Sequence, residues 1–245
     1  MITSRVKQYI ADNKLLEEHS RIIVGVSGGA DSVALLDILV SAGYECIVAH
    51  CNFHLRDKES DRDATFVKQI CDNYKLPYYC IDFNTESYAK HNSISIEMAA
   101  RELRYAWFED TRVKYNADCI AIAHHQDDSV ETVLLNLIRG TGIRGLTGIA
   151  PRNGYIIRPL LSITRNEILT YLNHKSLSFV DDQTNFEDIY TRNKIRLNII
   201  PLMETINPSA KDSINRTAMH LCQVFFFFFK QKTAYEITYG DWSSD

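Results

Sequence analysis

"VGVSGGADSV" occupies residues 24–33. The β-branched apolar run RIIVGVS (21–27) stops at Gly28-Gly29. DSVALLDILVSAG (31–43) then carries apolar residues at helical spacing and ends on Gly43, a residue suited to a helix C-terminus. The stretch therefore predicts a strand, a tight glycine turn and a helix. Such a turn aims backbone N–H groups and the positive helix end at an anion. Glycines let phosphate oxygens approach the main chain. The hydroxyls of Ser27 and Ser32 can donate, and Asp31 is expected to cap the helix and help position a metal. A loop that transfers the end phosphate of ATP reads G-x-x-x-x-G-K-S/T, and its lysine is absent here. The plainer alternative is a tight strand–helix turn that binds nothing.

Working outward, strand and helix alternate. ECIVAHC (45–51), PYYCIDF (77–83) and ADCIAIAH (117–124) read as further strands. KESDRDATFVKQICDNYKL (58–76), ISIEMAARELRYAWFEDTRVKYN (94–116) and DDSVETVLLNLIRG (127–140) read as helices. The strands are near-continuous apolar runs, which predicts a parallel sheet with helices on both faces, an α/β, Rossmann-like fold. Ligands of such sheets bind at the carboxyl ends of the strands. Gly28-Gly29, His50 to Asn52 and His124 to Asp128 all fall at such ends, which predicts a single site. Beyond Gly140, TGIRGLTGIAPRNG (141–154) reads as loop. ITRNEILTYLNHK (163–175) reads as a helix with a capping box of Thr164 and Glu167. DDQTNFEDIYTRNKIRLNIIPLM (181–203) is polar, then a basic helix ended by Pro201. The expected organisation is a catalytic domain over 1–206, then a linker and the start of a small helical region over 207–224.

The last stretch, FFFFFKQKTAYEITYGDWSSD (225–245), matches neither strand alternation nor a helical stripe. It resembles the translation of a sequencing adapter, so a non-native tail is expected there and is left out of the fold reading. A net charge of −4 excludes a bulk polycation, so any nucleic acid must meet a local basic patch. No run approaches the roughly 18 apolar residues of a membrane span, and no secretory leader is evident. A cytoplasmic protein without a membrane partner is expected. None of the 6 cysteines stands in a C-x-x-C pair, so buried reduced thiols are favoured over zinc or an iron–sulfur cluster.

S-G-G-x-D-S directly after the first strand resembles the pyrophosphate loop of the N-type ATP pyrophosphatases (the PP-loop superfamily). That resemblance implies a loop that holds the β- and γ-phosphates as a leaving group while the α-phosphate is attacked. The missing lysine then makes sense, because AMP is transferred and the α–β bond breaks. HCNFHLR (50–56), SIEMAARELRYAWF (95–108), AHHQDDSVETVLLNLIRGTGIRGLTGI (123–149), RPLLSITRNEI (158–168) and the 181–203 block together resemble the tRNA(Ile)-lysidine synthetase family. The resemblance runs in order from about Arg21 to Met203. It implies ATP as co-substrate, Mg2+, L-lysine, and an isoleucine tRNA with a CAU anticodon whose wobble cytidine is adenylated and then joined to lysine. It implies a ligase forming carbon–nitrogen bonds, and leaves a homodimer open. Two rivals stand beside it. One is a PP-loop tRNA thiolase, which typically carries the paired or catalytic cysteines missing here; the other is an inactive nucleotide-binding fragment.

Carried onto this sequence, the resemblance places ATP on Ser27, Gly28, Gly29, Ala30, Asp31 and Ser32, with adenine near His50 and Asn52. Magnesium is expected on Asp31. Asp31, Arg101, His125 and Asp128 are the catalytic candidates. Arg101, Arg104, Asp128 and Glu131 are expected to bind lysine. Arg139, Arg144, Arg192, Lys194 and Arg196 are expected to contact tRNA or phosphate. Plainer readings stay open. Asp127 after His124-His125 reads as a helix cap. Glu97, Arg101 and Arg104 at i, i+4, i+7 read as a solvated ion-pair face. The basic run after Tyr190 reads as a solubilising helix face.

Overall fold

The computed structural model describes residues 2–55, 58–180 and 191–239, side chains of Lys58 and 226–239 excepted. The chain divides into two units, Met1–His125 with Pro151–Asp182, and Gln126–Ala150 with Gln183–Asp245. The first runs α1 (Ile2–Asp12), β1 (Arg21–Gly25), α2 (Ala30–Ser41), β2 (Glu45–Asn52), α3 (Lys58–Tyr74), β3 (Tyr78–Asp82), α4 (Thr85–Asn92), α5 (Ile96–Lys114) and β4 (Cys119–Ala121). The chain then passes to the second unit with α6 (Gln126–Ile138). It returns to the first with the hairpin β5 (Arg152–Asn153) and β6 (Ile156–Ile157), followed by α7 (Arg165–His174).

Among the described residues the sheet order is β3-β2-β1-β4-β6-β5, parallel throughout except for β5 against β6. Alternate residues of the central strands enter different cores. Ile22, Val24, Cys46, Val48, Cys119 and Ala121 join α1, α2, α3 and α7. Ile23, Ile47, Ala49 and Ile120 meet Phe108 of α5 on the other face. Both faces are covered, which is why the strands read as unbroken apolar runs. A Cβ at Gly25 would lie 2.8 Å from the Phe108 ring, so glycine there lets α5 close on β1. Helix α2 ends as its sequence predicts. Gly43 has φ +89°, its N–H donates to the Val40 carbonyl (3.0 Å), and Tyr44 N–H donates to Leu39 (3.2 Å).

The second unit contains α6, a 3-10 turn (Ile143–Thr147), α8 (Thr191–Lys194), a π-helical turn (Ile195–Ile199), α9 (Ile200–Ile206) and α10 (Ala210–Tyr239). Val130 and Leu134 of α6 share a core with Ile195 and Ile200. That packing is why α6 groups with the C-terminal helices.

Several expectations change. The helix expected over 94–116 is α5, and an unexpected helix, α4, precedes it, closed by Ser93 at φ +55°. The expected loop 141–154 holds a 3-10 turn and opens the β5–β6 hairpin. Pro201 sits in the first turn of α9 rather than ending a helix. A proline there lacks only an N–H that needs no partner within that helix, and the wider π-helical turn lies just before it. Helical backbone continues through the phenylalanine run to Tyr239, while 181–190, including Tyr190 of the late motif, and 240–245 lie outside the described residues. Of the cysteines, Cys80 is exposed and Cys51 and Cys222 are half-buried rather than buried. Burial pushes the Cys46, Cys51, Cys71 and Cys119 thiols up to about 12, which keeps them protonated at neutral pH.

Candidate functional site

The loop between β1 and α2 is shaped by its own serine. Ser27 N–H and Gly28 N–H each donate to Ser32 Oγ at 3.2 Å, and that hydroxyl donates to the Gly29 carbonyl at 2.8 Å. The Ser32 proton is thus used inside the loop, whereas Ser27 is exposed. Gly28 has φ +96°, a conformation a side chain would strain, and its carbonyl accepts from Val180 N–H at 2.9 Å. The expected helix cap is corrected. Gly29 takes the cap position in extended conformation, and Ala30 opens the helix. Asp31 stands inside the first turn, where it pairs with Arg165 and lies 3.7 Å from His125 Nε2.

The ends of β2 and β4 meet this loop. The His50 ring donates from Nδ1 to the Val26 carbonyl at 2.8 Å, because a carbonyl only accepts. Burial holds the His50 pKa below its ordinary value, against the pull of Asp63 and Asp82. Asn52 is buried and donates to Asp61 at 3.1 Å. His125 is buried at the carboxyl end of β4. Next to it, His124 Nδ1 accepts from Arg158 Nε at 3.2 Å, and Arg158 is only 7% exposed. Loop, His50 and His125 are therefore brought together within the first unit, whereas Asp127 and Asp128 of the expected cluster belong to the second. On α5, Glu97 and Arg101 are exposed, Arg101 lies over the Tyr105 ring, and Arg104 lies over the Phe53 ring at 5.2 Å. The two arginines sit on aromatic faces, and no ion pair joins them to Glu97 among the described residues.

The second unit holds the other expected residues. Arg196 grips Glu131 with two hydrogen bonds, 2.6 and 3.1 Å, and lies 3.7 Å from Asp128. Arg192 Nε is 3.7 Å from Glu131, and its other end donates to Thr132 Oγ1 at 2.7 Å. The Glu131 side chain is 1% exposed. Burial pushes its pKa up, and Arg196 pulls it back. Asp127 receives Lys211 at 3.2 Å. Arg192 and Arg196 are thus turned onto acids of their own unit, while Arg139, Arg144 and Lys194 are exposed.

A family model described as the PP-loop domain matches residues 1–203. A tRNA(Ile)-lysidine synthase of Petrotoga mobilis is 38% identical over 218 residues, covering 87% of this chain and 70% of that protein. The chain belongs to the PP-loop domain family, among the tRNA(Ile)-lysidine synthases. A second such relative, from Bacteroides thetaiotaomicron, is 58% identical over 224 residues, covering 91% of this chain. The chain spans 53% of the length of that relative. Among solved structures, the U34-tRNA thiolase NcsA of Methanococcus maripaludis, determined with its 4Fe-4S cluster, has a TM-score of 0.72 at 19% identity. It covers 91% of this chain and 80% of that one, and shares the fold.

In this PP-loop protein, sequence reasoning passed over two arginines beside the expected residues. Arg158 follows the short strand β6, where two residues carry no periodicity. Arg165 is the first residue of α7, after the Thr164 cap. A cation in a first turn opposes the helix dipole, and that mismatch is the local signal that marks it.

Proposed function

We propose that this chain carries the catalytic part of an ATP-dependent ligase that joins lysine to the wobble cytidine of an isoleucine tRNA with a CAU anticodon. The observation that carries the proposal is the lysine-free S-G-G-x-D-S loop at the end of β1, in a chain whose curated relatives are named tRNA(Ile)-lysidine synthases. The amides that open α2 and the Ser27 hydroxyl bind the β- and γ-phosphates, and His50 and Asn52 lie where β2 would meet adenine. The cytidine carbonyl oxygen attacks the α-phosphorus, the α–β bond breaks, and pyrophosphate leaves. That oxygen carries no proton, so the step needs alignment and charge stabilisation rather than a base. The lysine amine then attacks the same ring carbon, and AMP leaves with its oxygen. Asp128 orients the amine and takes its proton, and Arg101 and Arg104 bind the lysine carboxylate. Arg139, Arg144 and Lys194 meet tRNA phosphates. Such a reaction places the protein in the cytoplasm.

Among the described residues no group of three or more His, Cys, Asp or Glu gathers to cage a metal. The loop offers one carboxylate, Asp31. Asp31 would hold a magnesium ion together with the substrate phosphates. When bound, it supplies charge neutralisation on the leaving pyrophosphate. Among the described residues no helix is long and apolar enough to cross a membrane.

The test uses the whole chain with ATP, magnesium, labelled lysine and a CAU isoleucine tRNA transcript. Label is expected to enter this transcript, and to be lost in Asp31→Ala and Asp128→Ala. Pyrophosphate release with that transcript but a product carrying sulfur or ammonia instead of lysine would overturn the choice of nucleophile.

A further inference from the structure

The loop lacks a cation in its sequence, yet the fold brings one to it. Arg165 lies 134 residues beyond Asp31 and pairs with it. Three observations set this pair apart from a simple clip. Arg165 occupies the first turn of α7, where the helix dipole disfavours a positive charge. Its side chain is 35% exposed and that of Asp31 29%, so solvent reaches both and the pair can change partners. The loop also spends donors on itself, since Ser27 N–H, Gly28 N–H and the Ser32 hydroxyl are all engaged internally. The amides of Ala30, Asp31 and Ser32 remain, opening α2 without intrahelical partners. These are partial charges, and Asp31 beside them repels any phosphate.

We propose that Arg165 supplies the cation missing from the loop: it rests on Asp31 without nucleotide and moves to the pyrophosphate oxygens of ATP when nucleotide enters. A guanidinium suits the task, because its fork pairs with carboxylate and phosphate oxygens alike. The exchange leaves Asp31 facing the phosphates, where a divalent cation between them would relieve the repulsion. The inference rests on the nucleotide-binding part of the proposed function and is independent of lysine and tRNA.

Calorimetric titration of the whole chain with inorganic pyrophosphate, and with a non-hydrolysable ATP analogue, tests it. Each titration is run with magnesium and with a chelator. Arg165→Ala is expected to weaken pyrophosphate binding about tenfold or more in both conditions, the loss of a charge-assisted pair. Arg165→Lys should recover part of the affinity. Asp31→Ala should bind pyrophosphate in chelator at least as tightly as the parent chain, because Arg165 is no longer held, and should lose the gain from magnesium. Circular dichroism and thermal melting confirm that each variant is folded. Unchanged affinity in folded Arg165→Ala overturns the inference. So does an Asp31→Ala variant as weak as Arg165→Ala in chelator, since Arg165 would then act only by holding Asp31. A parent chain that binds neither probe would overturn the nucleotide reading itself.

Discussion

Asp31 and Glu131 both pair with an arginine about a third exposed, and the two carboxylates live in opposite surroundings. Asp31 and Arg165 are each about a third exposed, at 29% and 35% of their side chains. Glu131 is 1% exposed and takes both oxygens to Arg196, with Arg192 at 3.7 Å. A pair in water has little to lose when it opens, because water replaces either partner. A buried carboxylate that loses its cation is left without compensation. The first pair is therefore suited to exchange with a ligand, and the second to hold α6 against the π-helical turn that carries Arg196. Arg196 also reaches Asp128, which keeps that acid beside a positive charge.

The largest effect follows from breaking the pair with the buried carboxylate. Removing one partner of a buried ion pair costs about 3–5 kcal/mol. Arg196 is itself 36% exposed, which lets water approach the site after truncation. Arg196→Ala is therefore expected at the low end, about 3 kcal/mol, in urea denaturation. Arg192, 3.7 Å from Glu131, compensates that carboxylate only in part, so adding Glu131→Gln should recover more than half of the cost. A cost below about 1 kcal/mol would place the pair with ordinary surface pairs and erase the contrast.

That contrast was not readable from the residues. Both acids carry motif positions, and helical spacing puts Asp128 and Glu131 near one face without saying which is buried. The chemistry of β1, the glycine turn and α2 was legible, since it is local: a β-branched run, two glycines and a periodic helix. The parallel sheet was legible too, because strands covered on both faces must be apolar at every position. What escaped has two causes. Helix α4 is eight residues long and buries only Thr85 and Ala89, and β5 and β6 are two residues each, too short for any period to show. The Arg165–Asp31 pair is non-local, so nothing near either residue announces the other. The reading of Asp31 as a cap failed for a related reason. An acid anywhere in a first turn suits the helix dipole, so the residue type does not distinguish the cap from the turn.

An intermediate effect is expected from His50, beneath the loop. Burial lowers its folded-state pKa, so the unfolded chain binds the proton first as pH falls. Its contribution is fully present above the unfolded value of about 6.5 and is lost as pH falls through the folded value. Unfolding free energy should therefore decline from pH 7.5 towards pH 5 (about one unit or more below that value). His50→Gln should make the decline shallower. An identical slope in the variant would mean that His50 is not the group being protonated.

The smallest effect falls on the exposed pair. Arg165→Ala should cost no more than about 1 kcal/mol in the same urea titration that costs Arg196→Ala about 3, because solvent solvates Asp31 once its partner is gone. The same variant is the one expected to lose about tenfold or more in pyrophosphate affinity. A binding loss without a stability loss separates a ligand group from a clip. If Arg165→Ala instead destabilises as much as Arg196→Ala, the exposed pair is holding α7 to α2, and any loss of binding would follow from that displacement. The two titrations on one variant thus decide whether the loop obtains its positive charge from α7 or only its shape.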